Sequence, residues 1–166
     1  MIFCTVGTHE DPFDRLVGEL DRLATSGALG GEPVHIQTGY STVVPVACSA
    51  ERMIGFDEVQ RRMREARVVV THGGPASIMQ ALALGKVPVV VPRQAKFGEH
   101  VDDHQVRFAK RIADRVLVVL DIAELGEVLN HHAERVADLG PAVGGPERAR
   151  AFAERLDALC TSLLGR

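Results

Sequence analysis

The chain predicts an α/β fold: a single Rossmann-like parallel sheet with helices on both faces. Three observations carry this reading. Short apolar runs alternate along the chain with stretches whose apolar residues recur at helical spacing. Two of those runs, Arg67–Thr71 and Val87–Val91, show no polar alternation, as strands do when helices cover both their faces. A length of 166 residues, with 46% apolar and 25% charged, suits one globular domain with a substantial core.

Taken in order, Ile2–Val6 reads as a buried strand ending at Gly7-Thr8. Pro12–Ser26 is a helix with Pro at its start and Phe13, Leu16, Val17, Leu20 and Leu23 on one side. Gly27–Pro33 is a Gly-rich turn, Val34–Thr38 a short strand, and Met53–Phe56 a further one. Asp57 caps a helix through Ala66, with Val59 and Met63 inward and Arg61, Arg62, Arg64 and Arg67 as a basic, solvated face. Between the two central strands, Pro75–Leu84 is a helix with Pro in its first turn and Gly85 at its end. Asp102–Ala113 is helical, Val116–Leu120 is the last strand and Ile122–Ala133 the helix after it. His131 and His132 near that helix end favour its negative pole. We therefore take residues 1–139 as the α/β domain. Residues 140–166 form a linker (Gly140–Pro146) and a last helix, Glu147–Leu164, packing on the domain or on a partner.

Composition narrows the function. A net charge of −3 and only seven Phe or Tyr argue against a nucleic-acid binder. Cys4, Cys48 and Cys160 are scattered and odd in number, which fits reduced thiols in a cytosol rather than disulfides or a zinc site. The start, MIFCTVGTHED, has no basic lead and reads as a strand rather than a signal peptide. No apolar run reaches the ~18 residues a membrane span needs.

Val68–Pro92 is the stretch that points to chemistry. A buried strand runs into His72-Gly73-Gly74 and then a helix whose open amino terminus suits an anion. Gly73, Gly74 and Ala76 let a phosphate approach the backbone, and His72 and Ser77 offer donors. In a parallel sheet, ligands sit beyond the carboxyl ends of the strands. Gly7-Thr8-His9, Thr71–Gly74 and the Pro92–Gln105 loop all follow strands, so they should meet at one rim.

On these residues a family resemblance rests. HGGPASIMQALALGKVPVVVP resembles the donor-nucleotide motif in the carboxyl-terminal half of GT-B glycosyltransferases of family 28. GTHEDPFDRL and PRQAKFGEHVDDHQ are similar to the small catalytic subunit of two-component exopolysaccharide and dolichol-linked N-acetylglucosaminyl transferases. The resemblance covers roughly Met1 to Leu129. It implies that His72, Gly73, Gly74 and Ser77 cradle the diphosphate of a UDP-sugar, with Gly7 and Thr8 as a second backbone turn. Phe56 would meet the base, and Gln80 would stand where relatives often place a ribose-binding Glu. Asp103, His104 and Gln105 would read sugar hydroxyls. His9 is the candidate base at the rim. The resemblance further implies a membrane-anchored, acceptor-binding partner subunit and a lipid-linked saccharide acceptor. The chain would then be cytoplasmic, peripheral at the inner face of the membrane, and could pair with itself when isolated.

Structural alternatives stand beside each assignment. The glycines could serve the turn alone, His72 could cap the helix, Ser77 and Gln80 could be solvated, and Phe56 could be core. His9 could be a surface histidine, and Asp103–Gln105 an ordinary helix start. His100 and His104 are four residues apart with Glu99, Asp102 and Asp103 nearby, a set that could ligate a divalent metal, but the zincin pattern needs Glu where Val101 stands and the sequence places no third ligand. We expect no resident metal or cofactor. Two functions remain open: a donor-binding catalytic glycosyltransferase subunit, or a nucleotide-sugar-binding or assembly protein without turnover. A metal-dependent hydrolase built on His100 and His104 is a weaker third.

Overall fold

The computed structural model describes residues 1–139. Its strands are β1 (Ile2–Thr5), β2 (Val34–Gln37), β3 (Ser49–Glu51), β4 (Val68–Thr71), β5 (Val89–Val90) and β6 (Leu117–Val118). The helices are α1 (Asp14–Thr25), α2 (Phe56–Glu65), α3 (Pro75–Ala83), α4 (His104–Arg111), α5 (Leu125–Asn130) and α6 (His132–Asp138). All strand pairs are parallel, in the order β3-β2-β1-β4-β5-β6. The chain therefore winds outward in both directions from the centre. Its topological switch point, where ligands of such sheets bind, lies between the carboxyl ends of β1 and β4.

Strand pleating explains the core. Successive side chains point to opposite faces, and each face finds its own helices. Ile2, Cys4 and Val6, with Val68, Val70, Val89 and Val91, pack against Leu16, Val17 and Leu20 of α1 and Leu125, Val128 and Leu129 of α5. From the opposite face, Phe3 and Val69 meet Met63 of α2 and Ala81 of α3. Val90 meets Ile78 of α3 and Ala109 of α4. The absence of alternation in the central strands is thus the mark of burial on two faces.

Several boundaries differ from the sequence reading. The third strand is Ser49–Glu51, not Met53–Phe56. All three of its residues are exposed at the sheet edge, so no apolar run announces it. Phe56 instead opens α2, and Gly55 rather than Asp57 is the cap; Asp57 and Glu58 lie in the first turn, favourably for the dipole. Ile122–Ala133 is not one helix but a 3₁₀ turn (Ile122–Glu124) followed by α5 and the start of α6, which continues to Asp138. Helix 102–113 is shorter, at His104–Arg111. The basic face of α2 is largely neutralised: Arg61 and Arg62 pair with Glu58, Glu65 and Glu51, and Arg67 pairs with Glu32. His131 does sit at the end of α5, its Nδ1 on the Glu127 carbonyl, while His132 Nε2 meets the Val87 carbonyl. The linker and the last helix lie outside the described residues.

Candidate donor site at the switch point

The rim begins where β1 ends. Gly7 turns the chain with φ +77°, a left-handed conformation that favours glycine. Its N–H donates to Thr5 Oγ1 at 3.2 Å. Beside it, β4 ends at Thr71, and the His72 N–H donates to the Thr5 carbonyl. The imidazole of His72 then fills the space between two glycines. A Cβ at Gly7 would lie 2.5 Å from His72 Cε1, and one at Gly74 would lie 2.3 Å from His72 Nε2. Gly73 is equally confined, since its Cβ would meet that of Gln105 at 2.7 Å. Gly7 and Gly74 are required by close packing around the His72 ring, and Gly73 by packing against Gln105 and Pro92, not only by the turn.

Burial, with the nearby Arg93 charge, pushes the His72 pKa down to about 4. The ring is therefore neutral at physiological pH and offers one N–H. Above it, Gly74 caps α3 with extended backbone and Pro75 occupies the first turn. Among the described residues no side chain caps this end, and the first intrahelical bond runs from the Ile78 N–H to the Gly74 carbonyl. The amides of Ala76 and Ser77 consequently have no helical acceptor. Ser77 is partly exposed at that same turn.

The structure separates the remaining expected residues. Phe56 is 68% exposed at the start of α2, so it is not core. Since α2 follows β3, it starts on the same sheet edge as α3. Thr8 is exposed beside Gly7. Gln80 lies further along α3 with Nε2 sealed from solvent and without an acceptor among the described residues. Gln105 is buried: its Oε1 accepts the Arg93 N–H at 3.2 Å. Asp103 Oδ1 accepts the Ala95 N–H, and His104 Nδ1 lies 2.6 Å from Asp102 Oδ1. In this arrangement Asp103–Gln105 shape the loop around the site.

His9 reaches the rim as expected. Its Nδ1 accepts the Asp11 N–H at 3.2 Å and lies 3.5 Å from the Asp11 carboxylate. Its ring lies 4.7 Å from that of His100, which in turn lies 4.5 Å from that of His104. Burial, then the neighbouring imidazoles, hold His100 below the ordinary histidine range.

Sequence reasoning missed the group that ties these loops together. Arg93, just past β5, is 0% exposed. It donates to the carbonyls of Val6, Asp11, Pro12 and Glu99, and lies over the Phe13 ring. Glu99 pairs through both oxygens with Arg15 of α1 and accepts the Gln94 N–H. An arginine directly continuing a wholly apolar strand, VPVVVPR, was the available signal. Gly39, with φ +57°, was also missed; a Cβ there would lie 2.7 Å from the Gly7 carbonyl oxygen.

A parallel sheet in this order, with an open helix terminus and two glycine turns at its switch point, has the Rossmann-like architecture of a GT-B half-domain. Residues 1–141 match the family model described as "Glycosyltransferase family 28 C-terminal domain", and the chain belongs to that family. It is 31% identical over 117 residues to the human UDP-N-acetylglucosamine transferase subunit ALG13 and 30% over 118 residues to the mouse protein. Those matches cover 67% and 66% of this chain but 10% of each relative, so the chain spans about a tenth of their length. Among solved structures it is similar to the calicheamicin glycosyltransferase CalG4 (TM-score 0.51, 17% identity, 93% of this chain and 42% of that one). It is also similar to the glycotransferase of kitacinnamycin (TM-score 0.50, 20% identity, again 93% and 42%). At these identities the likeness is one of fold.

Proposed function

We propose that the chain is the donor-binding catalytic subunit of a two-component inverting glycosyltransferase. It would move a sugar from a UDP-sugar to a lipid-diphosphate-linked glycan in exopolysaccharide or glycolipid synthesis. The observation that carries this reading is the neutral His72, wedged between Gly7 and Gly74 below the unsatisfied amides of α3.

The chemistry follows from that arrangement. The acceptor hydroxyl attacks the anomeric carbon as the bond to the diphosphate breaks, so negative charge grows on the leaving phosphate. The amides of Ala76 and Ser77, the helix dipole, the His72 N–H and the Gly7-Thr8 turn stabilise that charge as it forms. Phe56 offers an exposed apolar face to the base, and Gln80 a donor to the ribose after rotating outward. Asp103, His104 and Gln105 border the sugar. The proton released by the acceptor goes to a ring nitrogen of His9, and the Asp11 carboxylate 3.5 Å from Nδ1 stabilises the imidazolium that forms. The donor name and the subunit character are those of the ALG13 relatives. The acceptor would be held by a membrane-anchored partner subunit, which would keep this chain at the cytoplasmic face.

A thermal-shift panel of UDP, GDP, TDP and their sugars tests the donor, since a ligand of the native state raises the midpoint with concentration. UDP compounds are expected to stabilise the chain and His72→Ala to lower that response about tenfold. Labelled-sugar transfer, assayed with and without the partner, tests turnover. Uridine binding without transfer in either assay would make the chain a binding module, and no nucleotide response would overturn the reading.

A further inference from the structure

The sequence sets Glu99, Asp102 and Asp103 close to His100 and His104; the fold brings Asp102 together with the two histidines. We propose that His100, Asp102 and His104 bind a divalent transition-metal ion, for which Zn²⁺ is the reference. One ligand atom from each of the three lies within 4.8 Å of the others. His100 Nδ1 is 3.8 Å and His104 Nδ1 2.6 Å from the same oxygen, Asp102 Oδ1. Two ligands about 2.0–2.1 Å from a tetrahedral ion sit roughly 3.3–3.4 Å apart, so the observed spacings straddle that value. A small rotation of the exposed His104 and Asp102 side chains brings the set onto one ion.

A second, independent observation points the same way. The His100 side chain is only 10% exposed, and its Nδ1 is sealed from solvent with no hydrogen-bond partner among the described residues. A buried imidazole nitrogen left unpaired is unfavourable. Asp102 Oδ1, 3.8 Å from it, already faces both the backbone N–H and the ring of His104, and a shared ion would satisfy both imidazoles at once. That backbone bond would persist and orient the carboxylate on the ion. His104 would bind as the tautomer that carries its ring proton on Nε2, with the Nδ1 lone pair on the metal. Two imidazoles with one carboxylate favour Zn²⁺, Co²⁺ or Ni²⁺ over Mg²⁺ or Ca²⁺. Three protein ligands leave a fourth position for water or an anionic ligand oxygen.

The proposal does not rest on the glycosyltransferase reading, and it is tested without nucleotide. The full chain is titrated with Zn²⁺ by calorimetry and with Co²⁺ by its visible absorption. We expect saturable binding with the wild type, weakened at least tenfold by Asp102→Asn and by His104→Gln. Both variants should melt like the wild type, since each changes an exposed side chain. His131→Gln, at an exposed histidine elsewhere, should leave binding unchanged. No saturable binding, or binding undiminished in Asp102→Asn and His104→Gln, overturns the site. A UDP response measured in chelator reports on the donor reading alone, which keeps the two failures distinct.

Discussion

His72 occupies space that only residues without a Cβ leave open, and this makes its neighbours testable one at a time. Gly74 has φ −75°, a value any residue adopts, so Gly74→Ala probes packing alone. Its methyl would meet His72 Nε2 at 2.3 Å and displace the ring, at a cost of about 1–3 kcal/mol by overpacking. Adding His72→Ala should recover much of that loss, and thermal melts of the single and double variants measure the coupling. The same ring governs acid stability. Its pKa is about 4 in the fold, against about 6.5 in an unfolded chain. Between those values the unfolded state binds a proton that the native state refuses, so stability falls as pH drops from about 6.5 towards 4. The term is at most about 3 kcal/mol, less whatever solvent reaches this partly buried ring. His35, His100 and His132 are also held low. His72→Gln should therefore flatten, but not abolish, the slope of urea-derived stability across that window.

Loops and helices show what a sequence displays and what it conceals. The turn 72–74 was legible because glycines and a helix-opening proline sit together between two apolar runs. The Pro92–Gln105 loop was legible as a motif but not as a structure, since its organising contacts come from far along the chain. Arg15 of α1 grips both the Pro92 carbonyl and Glu99, and Arg93 grips carbonyls on both sides of the β1 turn. Spacing reveals neither. Strand β3 was misplaced for a related reason: an exposed edge strand is specified by its neighbours, here by Asp21 Oδ1 accepting the N–H groups of Val46, Ala47 and Cys48. Arg93 gives the sharper prediction at this scale. Arg93→Met keeps much of the volume but leaves the Val6, Asp11, Pro12 and Glu99 carbonyls without that donor. The expected loss is roughly 3–5 kcal/mol, as when a buried charged group loses its partners. Arg93→Lys should recover little, because one ammonium cannot span the fork. Urea unfolding measures both.

Across the molecule, the two-sided burial of β1, β4 and β5 made the doubly wound sheet legible, whereas side-chain roles at the rim required neighbours from several strands. It also bears on where the folding unit ends. The core clusters run without a break from Ile2 to Leu129, with Val136 and Leu139 packed against them. The described residues supply a six-stranded sheet, and α1 and α5 together cover one face of it. If this set is sufficient, a chain ending at Leu139 should melt in one cooperative transition and keep its stabilisation by UDP. Calorimetry compares it with the full chain, the expected difference being under about 1 kcal/mol, as for changes that leave the core intact. A broad, non-cooperative melt would mean that residues 140–166 complete the domain rather than serve a partner. Retention of the uridine response with loss of sugar transfer would instead place the contribution of that segment in contact with the acceptor-binding subunit.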